Sequence, residues 1–145
     1  MRLIIGADHG GVELKALLKE RLIAEGHTVE DVGTMDIAAV DYPDIAEKLC
    51  KKLLNDGYDR GILVCGTGIG MSIAANKIHG IRAALITDTF SARMASAHND
   101  ANVVTLGART LGPELAWEIL KANLEEPHLG GKHAVRVEKI MKLEQ

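Results

Sequence analysis

Short, continuous apolar runs alternate with longer segments of helical periodicity along this chain. Four runs have the length and composition of strands buried on both faces, and a weaker one precedes the second helical segment. The predicted strands are 3–7, 29–32, 61–65, 82–86 and 103–106. The predicted helices are 12–25, a segment around 45–54, a short one around 71–77, 91–98, 113–124 and 133–143.

This alternation of strands and helices predicts an α/β fold. We expect a Rossmann-like, three-layer α/β/α sandwich with a five-stranded parallel sheet and an extra C-terminal helix. The 145 residues are enough for one core, so residues 1–145 are expected to form a single domain. In such folds ligands bind beyond the carboxyl ends of the strands.

Composition excludes several classes of function. With 17 Lys and Arg against 20 Asp and Glu the formal charge is −3, and aromatic residues make up 3%. Neither a basic surface nor a stacking platform for nucleic acid is therefore expected. The first residues become polar too soon for a signal-peptide core, and no apolar run suggests a membrane span. Two cysteines are too few for a disulfide scaffold, which favours a cytoplasmic protein with reduced thiols.

Residues that could carry chemistry follow the predicted strands. Asp8 and His9 come after the first strand, Cys65 ends the third, and Arg109 follows the fifth. The pair His98 and Asn99 stands in the turn between the fourth helix and the fifth strand. We expect all of them to meet at the carboxyl edge of the sheet.

The segment 66–70 is the most informative, because three of its five residues are glycine: Gly66, Gly68 and Gly70. Such a loop before a helix can turn its N–H groups towards an anion or a developing oxyanion. It matches neither the G-x-G-x-x-G dinucleotide fingerprint nor a P-loop, since Met71 and Ile73 stand where glycine would be needed and no G-K-[ST] follows. A tight turn without a ligand remains the alternative.

Cys65, directly before this loop, is a candidate general base or non-redox nucleophile. The chain lacks a second cysteine at position 68 for a C-x-x-C pair and an arginine at 71 for a phosphatase loop. The alternative is a small buried apolar residue, which is the better interpretation of Cys50. No cysteine or histidine pair has zinc-ligand spacing, so no metal is expected.

The last predicted helix presents Lys132, Arg136 and Lys139 on one face. A solvated basic face is one interpretation. Binding of a phosphate by Lys132 and Arg136 is the other.

Six motifs are distributed over the whole chain: Gly-Ala-Asp-His-Gly-Gly at 6–11, Val-Asp-Tyr-Pro at 40–43, Cys-Gly-Thr-Gly-Ile-Gly-Met-Ser-Ile-Ala-Ala-Asn-Lys at 65–77, Gly-Ile-Arg-Ala-Ala at 80–84, His-Asn-Asp-Ala-Asn-Val at 98–103 and Gly-Gly-Lys-His-Ala-Val-Arg-Val at 130–137. Together they resemble the ribose-5-phosphate isomerase B family over the whole chain. The wider family also contains galactose-6-phosphate and allose-6-phosphate isomerases.

The resemblance implies interconversion of ribose 5-phosphate and ribulose 5-phosphate through a cis-enediolate, without metal or other cofactor. It implies that Cys65 is the base, that His98 opens the furanose ring, and that Thr67 and the loop amides hold the oxyanion. The substrate-binding positions it implies are Asp8, His9, Gly66, Gly68, Ile69, Gly70, Asn99, Arg109, Lys132 and Arg136. At position 132 many members have arginine, so this chain departs from the pattern there.

The resemblance also implies a homodimer, sometimes a dimer of dimers, in which each active site is shared between subunits. The hexose phosphate isomerases are the alternative within the family. A non-catalytic, receiver-like phosphate-binding module is the alternative outside it. A receiver needs adjacent acidic residues after the first strand and an acidic residue at the end of the third, where this chain has Asp8 beside His9, and Cys65.

Overall fold

The computed structural model describes residues 1–145 and contains five strands and six helices. The strands are β1 (Arg2–Ala7), β2 (Thr28–Asp31), β3 (Arg60–Cys65), β4 (Ala83–Leu85) and β5 (Val103–Gly107). The helices are α1 (Val12–Ala24), α2 (Tyr42–Asn55), α3 (Ile69–Ala75), α4 (Thr89–Ala97), α5 (Pro113–Glu125) and α6 (Lys132–Lys142).

All strands pair in parallel, in the order β2-β1-β3-β5-β4. The chain therefore moves in one direction across the sheet through α1 and α4 and in the other through α2 and α3. Right-handed crossovers place these two pairs of helices on opposite faces. The connections after β1 and β3 diverge to different faces, which opens a crevice at the carboxyl ends of these two neighbouring strands.

Two apolar clusters fill the space between the layers. The larger joins one sheet face to α1, α4 and α5, and the smaller joins the other face to α2 and α3. Successive strand residues alternate between the clusters, as Ile4 and Ile5 do on β1. Each fully buried aliphatic side chain of this size contributes about 1.5–3 kcal/mol to folding.

The predicted fold class and the five-stranded parallel sheet are confirmed. Three helices begin earlier than predicted: α2 at Tyr42 rather than near Ile45, α4 at Thr89 rather than Ser91, and α3 at Ile69 rather than near Met71. Gly68 precedes it with a φ of 79°, a left-handed conformation that ends the loop and starts the helix without a side-chain cap.

The last helix, α6, differs from the others because none of its residues is buried. Val135 is 52% exposed and Ile140 is 43% exposed, although both are apolar. None of the six helices combines the length and apolar character that crossing a bilayer requires.

Candidate active site

The centre of the candidate site is the connection from β3 to α3. Cys65 is the last residue of β3 and only 4% of its surface is exposed. The backbone N–H of Gly68 donates a hydrogen bond to Sγ of Cys65 at 3.1 Å. The loop thus bends back over the thiol and directs an amide dipole at the sulfur.

Close packing explains the glycine at position 68. A β-carbon there would lie 2.7 Å from Cδ1 of Leu85 and 3.0 Å from the carbonyl carbon of Leu106. Thr67, one residue earlier, is exposed, and its Oγ1 accepts a hydrogen bond from the N–H of Ile69 at 3.3 Å. The loop is therefore fixed on its protein side while Thr67 faces the open side.

Arg109 closes one flank of this loop. Its backbone N–H donates to the carbonyl of Gly66 at 2.9 Å, directly after the N–H of Ala108 donates to the carbonyl of Cys65 at 2.8 Å. Its guanidinium lies beside two loops: a β-carbon on Gly66 would be 3.3 Å from Nη1, and one on Gly10 would be 3.7 Å from Nη2. The cation is thus held between the ends of β1 and β3.

Asp8 and His9 form the other flank. Asp8 is 7% exposed, and its Oδ1 accepts a hydrogen bond from the N–H of Gly10 at 2.9 Å, which shapes the turn before α1. Nδ1 of His9 accepts a hydrogen bond from the N–H of Val40 at 3.3 Å. That contact assigns the ring proton of a neutral His9 to Nε2.

Tyr42 also belongs to this edge, although the sequence analysis gave it no role. Its ring packs so closely on Gly70 that a β-carbon at that glycine would lie 2.5 Å from Cζ of the tyrosine. The side chain remains 39% exposed. Its place in the Val40–Pro43 motif was the available signal, but nothing in the spacing indicated contact with a loop that lies 28 residues further along the chain.

His98 and Asn99 do not lie at the carboxyl edge, so that expectation was wrong. Helix α4 starts at the carboxyl end of β4 and returns the chain to the start of β5, as every helix between parallel strands must. His98 caps its far end. The next residues contact the first residue of β3, since Arg60 Nη1 donates to the carbonyl of Ala101.

His98 and Cys65 are consequently far apart within one chain. Arg60 begins β3 and Cys65 ends it. Five steps along a strand span about 16 Å. His98 and Cys65 therefore cannot touch one substrate from within the same chain.

Helix α6 brings its basic face to the amino edge of the sheet. The ring of His133 stacks on that of His98, with centroids 4.1 Å apart and planes inclined by 6°. Lys132 and Arg136 flank His133 on the same helix. Partial burial, followed by the positive charges of His98, Lys132 and Arg136, lowers the pKa of His133 from its ordinary value.

The two cysteines differ as expected from their positions. Cys50 lies on α2 within the smaller apolar cluster, and burial raises the pKa of its thiol to about 12. No group of three or more His, Cys, Asp or Glu side chains is arranged to hold a metal ion.

Comparison with known proteins places this arrangement in a family. Residues 3–140 match the family model described as Ribose/Galactose Isomerase. The chain is 46% identical over 145 residues to "Ribose-5-P isomerase B" of Listeria innocua, covering 100% of this chain and 98% of that protein. It is also 46% identical over 145 residues to "D-erythrulose-4-phosphate isomerase" of Pectobacterium atrosepticum, covering 97% of this chain and 93% of that protein.

The fold also matches that of a solved structure. The ribose-5-phosphate isomerase B of Clostridium thermocellum superposes with a TM-score of 0.97 at 46% identity, covering 99% of this chain and 97% of that one. Sequence and fold agree over essentially the full length. The chain therefore belongs to the ribose/galactose isomerase family.

Proposed function

We propose that this isomerase interconverts ribose 5-phosphate and ribulose 5-phosphate. The observation that carries the proposal is the Cys65 thiol inside the glycine loop, with the Gly68 amide directed at its sulfur and Arg109 beside it. A proton-abstracting base, donors for an enediolate oxygen and a cation for a phosphate are the parts that aldose–ketose isomerisation needs. The activities named for the relatives support the same reaction class.

Cys65 acts as the base in this mechanism. The thiolate removes the proton from C2 of the open-chain aldose, and the electrons of the broken C–H bond form the C1–C2 double bond of a cis-enediolate. The same sulfur returns the proton to C1, while the hydroxyl proton on O2 is transferred to O1, which completes the ketose. The Gly68 N–H, already directed at the sulfur, provides a hydrogen bond to the thiolate.

The loop stabilises the oxygen on which charge develops. Thr67 lies on the open side of the crevice, and it supplies donors together with the loop N–H groups that are not already bonded to Cys65 Sγ or to its own Oγ1. A preorganised donor of this kind contributes about 3–4 kcal/mol to transition-state stabilisation. Asp8 and the Nε2 proton of His9 bind sugar hydroxyls on the flank, and Arg109 binds a phosphate oxygen of the substrate.

His98, Asn99, Lys132 and Arg136 act on the substrate of a partner subunit. They lie at the amino edge of the sheet and Cys65 lies at the carboxyl edge, and β3 alone spans about 16 Å between the two edges, so a second copy must present them to the carboxyl edge. There His98 donates the proton that opens the furanose ring, while Lys132 and Arg136 bind the phosphate. The exposed apolar residues of α6 provide surface for such a homodimer.

A four-carbon sugar phosphate is a second candidate substrate, because one relative of equal identity is named for D-erythrulose 4-phosphate. An aldotetrose 4-phosphate has its O4 phosphorylated and cannot close a furanose ring. It therefore needs the Cys65 chemistry but not a ring-opening acid. Ribose 5-phosphate, which is mostly cyclic, needs both.

The test is a comparison of kcat/KM on ribose 5-phosphate, erythrose 4-phosphate, allose 6-phosphate and galactose 6-phosphate. The proposal expects the highest value with ribose 5-phosphate. A higher value with the tetrose phosphate would reassign the substrate, and a higher value with either hexose phosphate would move the enzyme to another branch of its family.

A further inference from the structure

Arg82, at the amino edge of the sheet, has no role in the proposed reaction steps. Arg82 stands immediately before β4, and its side chain is 18% exposed. Its guanidinium donates from Nε and Nη2 to the same acceptor, the carbonyl oxygen of Asp100, at 2.9 and 2.7 Å. Nη2 also lies 3.2 Å from the carboxylate Oδ2 of Asp100.

Asp100 is two residues after His98, in a backbone conformation that needs support. Its φ of 46° lies in the left-handed region, which disfavours most residues other than glycine, asparagine and aspartate. The backbone N–H of Arg82 donates to Oδ1 of Asn102 at 2.8 Å, so Arg82 contacts the turn at Asp100 and again two residues later. Arg82 thus helps to fix the turn that follows His98 and Asn99.

Arg82 also reaches the helix that carries the basic face. Nη1 lies 3.4 Å from Sδ of Met141 in α6, and the nearby N–H of Gly80 donates to both carboxylate oxygens of Glu144 at 2.9 and 3.1 Å. Because α6 has no buried residue, these few polar contacts and the His98–His133 stack orient it against the sheet. The guanidinium of Arg82 therefore contacts both the turn at Asp100 and helix α6.

We propose that Arg82 is a positioning residue for catalysis: it holds His98 and Asn99 through the carbonyl of Asp100 and couples them to the phosphate-binding helix α6. This rests on the proposed function of His98 and α6. The planar fork of arginine is essential to it, since two N–H groups converge on one oxygen while the third nitrogen faces Met141. Lysine offers a single point charge and cannot make this set of contacts.

The principal test compares Arg82→Lys with Arg60→Lys in the full-length enzyme. Arg60 is a matched control: it is 16% exposed, donates to the carbonyl of Ala101 in the same turn, lies 3.8 Å from Oδ1 of Asp100, and has neither a hydrogen bond nor an ion pair to α6. We expect Arg82→Lys to lower kcat/KM on ribose 5-phosphate by about 10- to 100-fold, as loss of a supporting hydrogen bond commonly does. Arg60→Lys should lower kcat/KM on ribose 5-phosphate far less. Equal losses in the two variants would overturn the assignment.

Two further readouts need no turnover and apply even if ribose 5-phosphate is not the substrate, and the first, made on the wild-type protein, applies even if Arg82→Lys does not fold. In the wild-type protein, the Nε proton of Arg82 should exchange with solvent more slowly than that of Arg60, measured by nuclear magnetic resonance. In folded Arg82→Lys, the imidazole resonances of His98 and His133 should move while amide resonances of residues 66–70 stay in place. An Arg82 Nε proton that exchanges as fast as that of Arg60 contradicts the proposal. Absence of ribose 5-phosphate isomerisation by the wild type, with slow Arg82 exchange, would refute only the proposed substrate.

Discussion

The carboxyl and amino edges of the sheet are built in different ways. At the carboxyl edge, Cys65 and Asp8 are almost fully buried, and backbone hydrogen bonds from the connections after β1, β3 and β5 surround them. At the amino edge, His98 is half-buried, Asn99 is exposed and α6 contributes no buried residue. The first edge is organised by the core of its own chain, whereas the second is held by polar contacts and leaves its functional groups open to another surface.

In the proposed mechanism the two edges carry different parts of the reaction. Proton abstraction needs precise placement, which the buried end of β3 suits. Ring opening and phosphate binding are proposed for the edge that a second subunit would bring to the first. Variants at the two edges should therefore differ in which substrates and which kinetic constants they affect.

The largest effect is expected for Cys65→Ser. Loss of a positioned base should lower kcat by about 100- to 10,000-fold on every aldose phosphate, because a serine hydroxyl is a far weaker base than a thiolate. Steady-state kinetics together with thermal unfolding would measure this. Cys50→Ala is the control, with wild-type kcat and a modest loss of stability from the small cavity. Wild-type turnover by Cys65→Ser would remove the base from the mechanism.

His98→Ala should separate ring opening from isomerisation. We expect a loss of about 100-fold in kcat/KM on ribose 5-phosphate, within the range of general acid catalysis. The value of kcat/KM on an open-chain tetrose phosphate that the wild type accepts should fall much less. Direct measurement of furanose ring opening should show that His98→Ala slows this step. If both substrates lose activity equally, His98 serves some step other than ring opening.

The basic face of α6 should act mainly through KM. Arg136→Ala removes a charge-assisted hydrogen bond to phosphate of about 1.5–3 kcal/mol and should raise KM by roughly 10- to 100-fold. Lys132→Arg should lower KM or leave it unchanged, because the arginine fork can bind two phosphate oxygens. A large increase in KM for Lys132→Arg would show that the lysine is required at this position.

The smallest effect concerns pH and the stacked histidines. Because the pKa of His133 is lowered from 6.5 in the folded chain, the unfolded chain binds this proton at higher pH than the folded one. The free energy of unfolding should therefore fall as pH decreases from 6.5 to the folded pKa, and this contribution should level off at lower pH. His133→Gln should flatten this part of the profile of melting temperature against pH. An unchanged slope in the variant would place the acid sensitivity elsewhere.

The fold was predictable because the apolar runs were short, continuous and regularly separated by helical patterns. The carboxyl-edge residues were predictable for the same reason: in a parallel sheet, residues directly after strands meet at one edge. Asp8, Cys65 and Arg109 follow that rule. Helix α3 began two residues earlier than predicted because the left-handed Gly68, not a capping side chain, starts it.

The prediction that His98 and Asn99 lie at the carboxyl edge is wrong because a residue close to a strand in sequence can lie at either end of that strand. His98 precedes β5 and therefore lies at its beginning. The contacts of Tyr42 with Gly70 and of Arg82 with Asp100 join residues distant in sequence, and a single sequence carries no signal for them.

The central claim, that one active site combines the carboxyl edge of one subunit with the amino edge of another, is tested most directly by mixing two inactive variants. Cys65→Ser and His98→Ala each disable every site of their own homodimer. Unfolding and refolding them together should form heterodimers in which one of the two sites has both Cys65 and His98. With random pairing, about one quarter of wild-type activity on ribose 5-phosphate should return. Activity that stays at the sum of the separate variants, although heterodimers form, would contradict the account.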